Sequence, residues 1–245
     1  ILNAQTPQQL AVTLALLSRA GISQLIGWYT SIDSKDPQKY TFYMTQSGLN
    51  LPDEAYYREE KYEQVCSAYI EHIARVFELT GLAEGFSLTP AEAAKLIFAH
   101  EAEIAAHHWD VVANRDAEAR YNPVDAAELE EKFPGFQFSH WLRALGADPD
   151  GMGKVVVSQP SFFEGVARLW EQTPLLTWKL WAVWNAVHSR APFMYDELVQ
   201  ANFDFYGRTL SGTEKLRDRW KRGVGTVEKA LDQEVGKEYV AVHFP

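Results

Sequence analysis

Cysteine is almost absent from this chain of 245 residues, and its scarcity limits how the fold can be stabilised. Cys66 is the only cysteine, so no disulfide can form within the chain. The chain also lacks an Asn-x-Ser/Thr acceptor and a charged-then-apolar leader. No apolar run approaches the roughly 18 residues that a membrane-spanning helix needs, so we expect no membrane segment in this chain.

Positive charge is scarce as well. The chain has 23 Lys and Arg residues against 33 Asp and Glu, which gives a formal net charge of -10. The longest basic run is the short "RDRWKR" of 217–222, so we expect no nucleic-acid partner. Apolar residues are abundant by contrast, at 47% with eight Trp, which is enough for one or two packed cores.

Both ends of the sequence lie next to patterned segments. The chain begins at Ile1 rather than Met, in a stretch typical of a helix, and stops at "HFP" directly after another helical pattern. We expect a fragment or a processed piece of a longer protein.

Helical periodicity dominates, and three helices are predicted to begin at the same dipeptide. Thr-Pro occurs at 6–7, 89–90 and 173–174, with Thr suited to the N-cap and Pro to the first turn. Glu92 follows Thr89 at the spacing of a capping box. Gly21 is predicted to end the first helix, and the second is predicted to continue to about residue 116.

Further helices are predicted along the rest of the chain. One covers 53–81 and ends at Gly81, with an apolar stripe formed by Tyr62, Val65, Tyr69, Ile73, Val76 and Phe77. The others lie near 124–132, 138–145, 160–172, 175–191 and 213–244.

Only two stretches are typical of β structure. Aromatic and β-branched runs flank the turn-prone "DSKDP", which predicts a hairpin over roughly 25–47, and "KVVV" follows at 154–157. The glycine-rich "GADPDGMGK" of 146–154 is predicted to be a loop or hinge. The predicted fold class is therefore mainly α, a multi-helix domain with one β-hairpin.

The stretch "AHEAEIAAHHW" of 99–109 raises the question of a metal site. A zinc-peptidase helix has the pattern H-E-x-x-H, but Ile104 occupies the position of the second histidine. Another set, His100, Glu103 and His107, would fall within about 60° of one another on a helix. Apolar residues share that stripe, which favours a buried packing face over a metal site: Leu96, Ile97, Ile104 and Val111. We predict no metal ligands in this chain.

The remaining candidates for chemistry are weaker. A Walker phosphate loop would need Gly where Asp148 lies and Ser or Thr where Val155 follows Lys154, so 146–154 is interpreted as a flexible connection. Cys66 lies on an apolar stripe and is predicted to be inert rather than nucleophilic. No Gly-x-Ser-x-Gly motif or acid–base pair is evident, and we predict no catalytic residues.

Four tryptophans stand close together in the sequence: Trp170, Trp178, Trp181 and Trp184. They could form an aromatic platform for a sugar or a peptide. Spacing of three residues along a helix is more typical of a large core contact, so packing is the favoured interpretation.

Five stretches occur in a collinear order with specific spacing. They are "YMTQSGLNLPDEAYY" (43–57), "YEQVCSAYIEHIARV" (62–76), "HEAEIAAHHWDVVANRDAEARYNPV" (100–124), "VVVSQPSFFEGVARLW" (155–170) and "NFDFYGRTLSGTEKLRDRWKRGVGTVEKALDQEVGKEYVAVHF" (202–244). From about residue 22 to its C-terminus, the chain resembles the neprilysin family of zinc metalloendopeptidases. Its bacterial, actinobacterial-type branch is the most similar.

The resemblance implies a mostly helical N-terminal lobe that caps a thermolysin-like catalytic domain. In the family, both parts enclose a cavity that admits only peptides of limited size. The N-A-x-Y substrate segment, the H-E-x-x-H zinc helix and the downstream E-x-x-x-D ligand segment lie in the catalytic domain of the family. Neither N-A-x-Y nor H-E-x-x-H occurs in residues 1–245. The resemblance thus implies that residues 1–245 form the cap lobe alone. Catalytic residues and zinc ligands would lie in the parent's catalytic domain, and substrate-binding residues are not assigned.

The resemblance also bears on Cys66. In secreted animal members this position pairs with a cysteine just after an Arg-Trp pair, where this chain has Gly223. An unpaired Cys66 agrees with a reducing compartment or a lineage without such bridges. We therefore expect a cytoplasmic or non-classically exported bacterial protein.

A cap lobe would need rigid packing anchors and a hinge between lobes. Trp220, Tyr206 and the tryptophans at 178, 181 and 184 are the expected anchors, and 146–154 is the expected hinge.

The expected function is the substrate-gating lobe of a zinc metalloendopeptidase that hydrolyses oligopeptides, inactive by itself. Its partners would be its own C-terminal catalytic domain and, in the parent, peptide substrates. The alternative is a free-standing helical binding or scaffold module that uses the tryptophan group or the His100, Glu103 and His107 face.

Overall fold

A computed structural model describes residues 1–244, which divide into two units at Asn202. We call Ile1–Asn202 unit 1 and the part from Phe203 onward unit 2. The helices of unit 1 are α1 (Pro7–Arg19), α2 (Glu63–Thr80), α3 (Pro90–Ala105), α4 (Leu129–Lys132), α5 (Phe138–Leu145), α6 (Pro160–Gln172), α7 (Leu175–Arg190) and α8 (Asp196–Asn202). Its strands are β1 (Ile26–Ile32), β2 (Tyr40–Gln46), β3 (Pro123–Asp125) and β4 (Lys154–Val157).

Unit 2 contains a π-helical segment (Phe203–Thr209), α9 (Arg219–Ala230) and α10 (Asp232–His243). The mainly α class is confirmed.

Local sequence signals explain where the helices begin and end. The Thr6 hydroxyl accepts a hydrogen bond from the Gln9 backbone N–H at 3.2 Å. Thr89 and Glu92 form the expected capping box, with the Glu92 carboxylate accepting from the Thr89 N–H at 2.8 Å. Gly81 ends α2 in the left-handed conformation at φ 67°, which favours glycine.

The third helix predicted from a Thr-Pro dipeptide begins where expected, but its threonine is not the N-cap. Helix α7 begins at Leu175, yet its N-cap is Pro174 and no side chain caps it. Thr173 instead lies at the C-cap of α6, where its N–H donates to the Leu169 carbonyl. The short connection between the two helices places this threonine at the end of one rather than at the start of the next.

Three long helices are shorter than predicted. Two 3-10 turns (Glu54–Tyr57 and Glu60–Tyr62) precede α2, and α3 ends at Ala105 rather than near 116. The C-terminal segment is divided into α9 and α10 at Leu231. Helix α5 and helix α6 have the predicted bounds.

The hairpin is confirmed, but it belongs to a larger sheet. Strands β1 and β2 are antiparallel, with Tyr29 opposite Tyr43. Strand β4 then pairs in parallel with β2 and antiparallel with β3, giving the order β1-β2-β4-β3. Residues 123–125 were expected at the start of a helix near 124–132, and they form β3 instead, because pairing with the distant β4 decides their conformation.

The core of unit 1 is rich in aromatic rings, and the packing interpretation of the tryptophan group is confirmed. Trp178, Trp181 and Trp184 of α7 are fully buried. Trp170 of α6 lies 4.7 Å from Trp178, and Trp178 lies 5.6 Å from Trp181, between ring centroids. Rings at these separations contribute packing energy beyond their burial.

Unit 2 contrasts with this core. No residue of α9 or α10 is buried, and Trp220 is 67% exposed. Trp220 packs against no core within this chain, and its expected role as a packing anchor of a cap lobe stays a prediction. Tyr206 is half-buried, and its ring packs edge-on to Phe205 at 4.8 Å.

The glycine-rich segment at 146–154 is a loop between α5 and β4, as predicted. An ion pair at 2.7 Å joins Arg143 of α5 to Asp150 within the loop. The loop lies inside unit 1, whereas the division between the units falls at Asn202, and its role as a hinge stays a prediction. Among the described residues, no helix is both long and apolar enough to cross a membrane.

Candidate functional site

The three side chains first considered as metal ligands lie in different surroundings: His100 is buried, Glu103 is exposed and His107 lies beyond the end of α3. His100 is 2% exposed, and its ring lies edge-on to Trp178 of α7 at 4.2 Å between centroids. Its Nδ1 is 3.4 Å from an oxygen of the exposed Glu103. His107 lies beyond the end of α3 against α6, where a Cβ added to Gly165 would be only 2.3 Å from its Nδ1. Glu103 is near enough to His107 for its charge to act on the imidazole, but the three side chains do not form a group placed to hold a metal ion within residues 1–244.

These residues do not fit a zinc site. Within residues 1–244, no group of three or more His, Cys, Asp or Glu side chains is placed to hold a metal ion. Burial lowers the pKa of His100 to about 4, which keeps the imidazole neutral among the tryptophan rings. Ile97 and Ile104 are buried as expected on the same stripe, whereas Leu96 and Val111 are exposed. That no residue of this chain is catalytic stays a prediction.

The most unusual polar group of unit 1 is instead the carboxylate of Glu101, which is 0% exposed. Asn50 Nδ2 donates to it at 2.6 Å, Tyr57 OH at 2.8 Å and Tyr69 OH at 2.9 Å. Trp184 Nε1 donates in turn to Tyr69 OH at 2.9 Å. We call these residues, together with Asn185, the Glu101 cluster.

The Glu101 cluster joins segments that are far apart in the sequence. Asn50 belongs to the loop after β2, Tyr57 to a 3-10 turn, and Tyr69 to α2, while Glu101 lies on α3. Asn50 Nδ2 also donates to Asn185 of α7 at 2.6 Å. Because a buried polar group must be hydrogen-bonded to be tolerated, these contacts fix the relative positions of the segments.

Burial dominates the electrostatics of the cluster. It raises the pKa of Glu101 to about 7, although the hydrogen bonds from Asn50, Tyr57 and Tyr69 lower that pKa. The pKa of Tyr57 is also raised well above its usual value, first by burial and then by the charge of Glu101. Glu101 therefore exchanges its proton near neutral pH, while its hydrogen bonds hold the loop of Asn50 against α2 and α3.

Two adjoining clefts lie beside the "SGLNLP" motif. One, of about 420 Å³, is lined by residues 46–49, 51–54 and part of 108–115. The other, of about 400 Å³, shares Glu54 and His108 with the first. The Glu54 carboxylate accepts from Arg58 Nε at 2.6 Å, and His108 Nε2 is 3.1 Å from the Ser47 carbonyl oxygen. Burial lowers the pKa of His108 to about 4. The Glu54 carboxylate and the His108 imidazole are thus already engaged, which does not favour acid–base chemistry by these two side chains.

The other sequence candidates are not accessible sites. The tryptophan group is buried, so it cannot present an aromatic platform. The thiol of Cys66 is half-buried, and its Sγ is 2.9 Å from the Tyr56 carbonyl oxygen. Burial raises the pKa of this thiol, which agrees with the prediction of an inert cysteine.

Glu101 was not predicted as a site residue, because the H-E-x-x-H pattern to which it would belong has Ile104 in place of the second histidine. One signal for Glu101 was present in the sequence: the residue follows His100 and lies three residues before Ile104, both of which were placed on the buried face of the helix. Its partners could not be found by spacing, since Asn50 and Trp184 lie on separate segments.

The fold and the cluster define a class of protein: a mostly helical domain whose interior polar network holds loops in place. Comparison with known sequences then identifies the family. The chain belongs to peptidase family M13, whose N-terminal profile matches residues 1–245. The resemblance to the neprilysin family is thereby confirmed.

Solved structures give the same result. The chain is 45% identical to the Mycobacterium tuberculosis zinc metalloprotease Zmp1, in an open state determined by cryo-electron microscopy, with a TM-score of 0.92. That match covers 99% of this chain and 37% of Zmp1. The PepO structure from Lactobacillus rhamnosus has a TM-score of 0.78 at 18% identity, covers 98% of this chain and 38% of PepO, and supports the fold alone.

Curated relatives extend to animals. Endothelin-converting enzyme 1 of Rattus norvegicus is 27% identical over 220 residues, covering 88% of this chain and 28% of the relative. Neprilysin-2 of Drosophila melanogaster is 25% identical over 245 residues, covering 92% and 30%. The chain therefore spans about a third of the length of the relatives it matches.

Proposed function

We propose that this chain is the N-terminal cap lobe of a zinc metalloendopeptidase and that it limits which oligopeptides reach the catalytic centre. The observation that carries this proposal is the match to Zmp1, a zinc metalloprotease, over 99% of this chain but only 37% of that protein. In this proposal the remaining part of the parent holds the zinc ligands and the catalytic base, so the chain alone has no peptidase activity.

The exposed face of unit 2 supports a partner within the same polypeptide. Apolar side chains recur on α9 and at its C-cap at spacings of four, three and four residues: Trp220, Val224, Val227 and Leu231. These spacings place them on one side of the helix. Helix α10 and the residue after it add further exposed apolar side chains, which the α9 spacing does not cover: Tyr239, Val240, Val242 and Phe244. We call these eight residues the α9–α10 apolar face. Apolar faces of this kind mark surfaces that bind another protein part, here the rest of the parent.

The Glu101 cluster supports the gating role. A cap that excludes large peptides must keep its shape, and hydrogen bonds from Asn50, Tyr57 and Tyr69 to one buried carboxylate connect distant segments of unit 1. The clefts beside the "SGLNLP" motif are held by the same loop. The chain thus acts through shape and positioning.

The alternative, a free-standing binding module, lacks the surfaces first considered for it. Its two candidate sites depend on the tryptophan group and on His100, and both are buried. The peptidase lobe is therefore the better supported function.

The test compares the 245-residue chain with the complete product of its gene. A quenched fluorescent oligopeptide is incubated with each, with and without a zinc chelator. We expect chelator-sensitive cleavage by the complete product and none by the chain. Chelator-sensitive cleavage by the chain would contradict the proposal, as would a gene that stops at Pro245 without encoding H-E-x-x-H.

A further inference from the structure

Positive charge is concentrated at the start of α9. Four of the six residues at 217–222 are basic, in a chain whose formal net charge is -10. Lys221 has an acidic neighbour, with its Nζ 3.7 Å from an oxygen of Asp218, and it lies over the Trp220 ring at 5.3 Å. The other three basic residues form no ion pair within residues 1–244: Arg217, Arg219 and Arg222.

These cations occupy an unfavourable place on the helix. Arg219 is the first residue of α9, and the first turn holds no acidic residue. The N-terminal end of a helix carries partial positive charge, so a cation there destabilises the helix. Asp218 is the N-cap, but its side chain accepts no capping hydrogen bond. The start of α9 therefore lacks the negative charge that would stabilise it.

A glycine follows on the same side of α9. Gly223 lies four residues after Arg219, so the two residues are about 40° apart around the helix axis. A Cβ added to Gly223 would meet no atom within 4 Å. Glycine in the interior of a helix is unfavourable relative to alanine, and no neighbour in the described chain requires it at this position. The missing side chain leaves the helix backbone open to close approach.

Arg219 and Gly223 border the apolar stripe of α9. Trp220 begins that stripe and is 67% exposed. Around the helix axis, Gly223 lies about 60° from Trp220, and Arg219 lies about 100° from it in the same direction. We call Arg219, Trp220 and Gly223 the Arg219 flank. A segment that packed on the stripe close to Gly223 would contact the Trp220 ring and bring its own side chains within reach of the Arg219 guanidinium.

The charge of Arg219 determines the chemistry of such a segment. Covering a guanidinium removes it from water, which is unfavourable unless an anion pairs with it. A carboxylate matches a guanidinium best, because the two planar groups can form two parallel hydrogen bonds. A membrane of anionic lipids or a nucleic acid would also supply negative charge, but the net charge of -10 on this chain opposes both. An acidic protein segment is therefore favoured.

We propose that the Arg219 flank binds a segment of the rest of the parent in which apolar residues are bordered by Asp or Glu, and that the Arg219 guanidinium pairs with one of these carboxylates. The inference rests on the proposed function, because the partner belongs to the part of the parent outside residues 1–245. One partner then explains three features that are unfavourable in the free chain: the exposed Trp220 ring, the cation in the first turn and the glycine at 223.

The first experiment identifies the partner in the complete gene product by cross-linking. Arg219→Lys places a primary amine at position 219, and a carbodiimide joins an amine to a carboxylate only where the two are in contact. Mass spectrometry of the digested protein should find position 219 linked to an Asp or Glu beyond residue 245. Lys229 is the internal control, since it lies about 180° from Trp220 around α9 and should form no such link.

The second experiment measures amide exchange of α9 for the same variants in two proteins. In the 245-residue chain, Arg219→Glu should slow exchange, because an acidic residue suits the first turn of a helix. In the complete product it should accelerate exchange at least about tenfold, because two carboxylates would then face each other. Gly223→Ala should produce the same opposite pair, through helix propensity in the chain and through blocked approach in the complete product. Residues without a partner would change both proteins in the same direction.

Three results would overturn the proposal. The first is the absence of any link from position 219 to a residue beyond 245, and the second is α9 exchange in the complete product that Arg219→Glu does not accelerate. The third is sedimentation of the complete product with vesicles of phosphatidylcholine and phosphatidylserine that Arg219→Glu abolishes, which would assign the flank to a membrane.

Peptidase activity separates this inference from the proposed function. Chelator-sensitive cleavage by a complete product that forms no such link would show that the inference alone is wrong. A gene that stops at Pro245 would overturn both.

Discussion

Unit 1 and the α9–α10 part of unit 2 have similar helical patterns in sequence but opposite surroundings in the structure. In unit 1, the stripe of α7 is covered, and Trp178, Trp181 and Trp184 are all buried. In unit 2, the stripe of α9 is exposed, and Trp220 is at its start. The difference shows that an apolar stripe marks a helix face suited to packing. The stripe does not indicate which polypeptide segment packs against that face.

The largest expected effect comes from replacing one tryptophan in each unit by alanine. Trp181→Ala should lower the free energy of unfolding of unit 1 by about 3–5 kcal/mol, because a fully buried ring leaves a cavity. Trp220→Ala should change it by less than about 0.5 kcal/mol, since this ring is already in contact with solvent. Urea unfolding followed by circular dichroism measures both, and equal losses would show that the two regions do not differ.

The next effect concerns the Glu101 cluster, whose contribution to the free energy of unfolding depends on pH. The pKa of Glu101 is about 7 in the folded chain and 4.5 in the unfolded chain, so the folded chain binds this proton more tightly. The contribution of Glu101 to the free energy of unfolding is therefore fully present below about pH 4.5 and is lost as the pH rises through 7. Glu101→Gln does not titrate. The free energy of unfolding of the wild type, minus that of the variant, should therefore fall by about 3 kcal/mol between about pH 4.5 and pH 8.

A control for this prediction lies on the same helix. Glu103 is exposed, and Glu103→Gln should change stability by less than about 0.5 kcal/mol. If the Glu101→Gln difference were the same at both pH values, burial of the carboxylate in a low-dielectric interior would be the wrong description.

The smallest effect uses a matched pair of glycines, one in each unit. Gly165→Ala should destabilise the fold by about 1–3 kcal/mol, because the new methyl group would lie 2.3 Å from His107 Nδ1. Gly225→Ala on α9 has no neighbour within 4 Å, and should stabilise its helix by up to about 1 kcal/mol through helix propensity alone. Thermal unfolding of both variants measures the pair, and destabilisation by Gly225→Ala would reveal a neighbour at α9 in the free chain.

Much of the fold could be predicted from the sequence because it depends on local chemistry. The caps at Thr6 and Thr89, the stop at Gly81 and the hairpin turn are each decided within a few residues. The strand at 123–125 was missed because it pairs with the distant β4. The early end of α3 was missed as well, and just beyond it His108 and Trp109 bond to the distant Ser47 and Gln46.

The same distinction applies to the candidate site. Motif order was sufficient to predict the family, whereas the Glu101 cluster was invisible in sequence, because Asn50, Tyr69 and Trp184 come from three separate segments. The sequence placed His100 on a buried face correctly but gave its neighbour Glu101 no role. Local patterns indicate which residues are buried, and only the tertiary fold indicates what they contact.

The central claim is that the α9–α10 apolar face is covered by the rest of the parent polypeptide. Amide hydrogen exchange of α9 and α10 tests it most directly, in the 245-residue chain and in the complete gene product. We predict exchange at least about a hundredfold slower in the complete product, with unchanged rates in α3 and α7 of unit 1. Equal rates for α9 and α10 in both proteins would contradict the account.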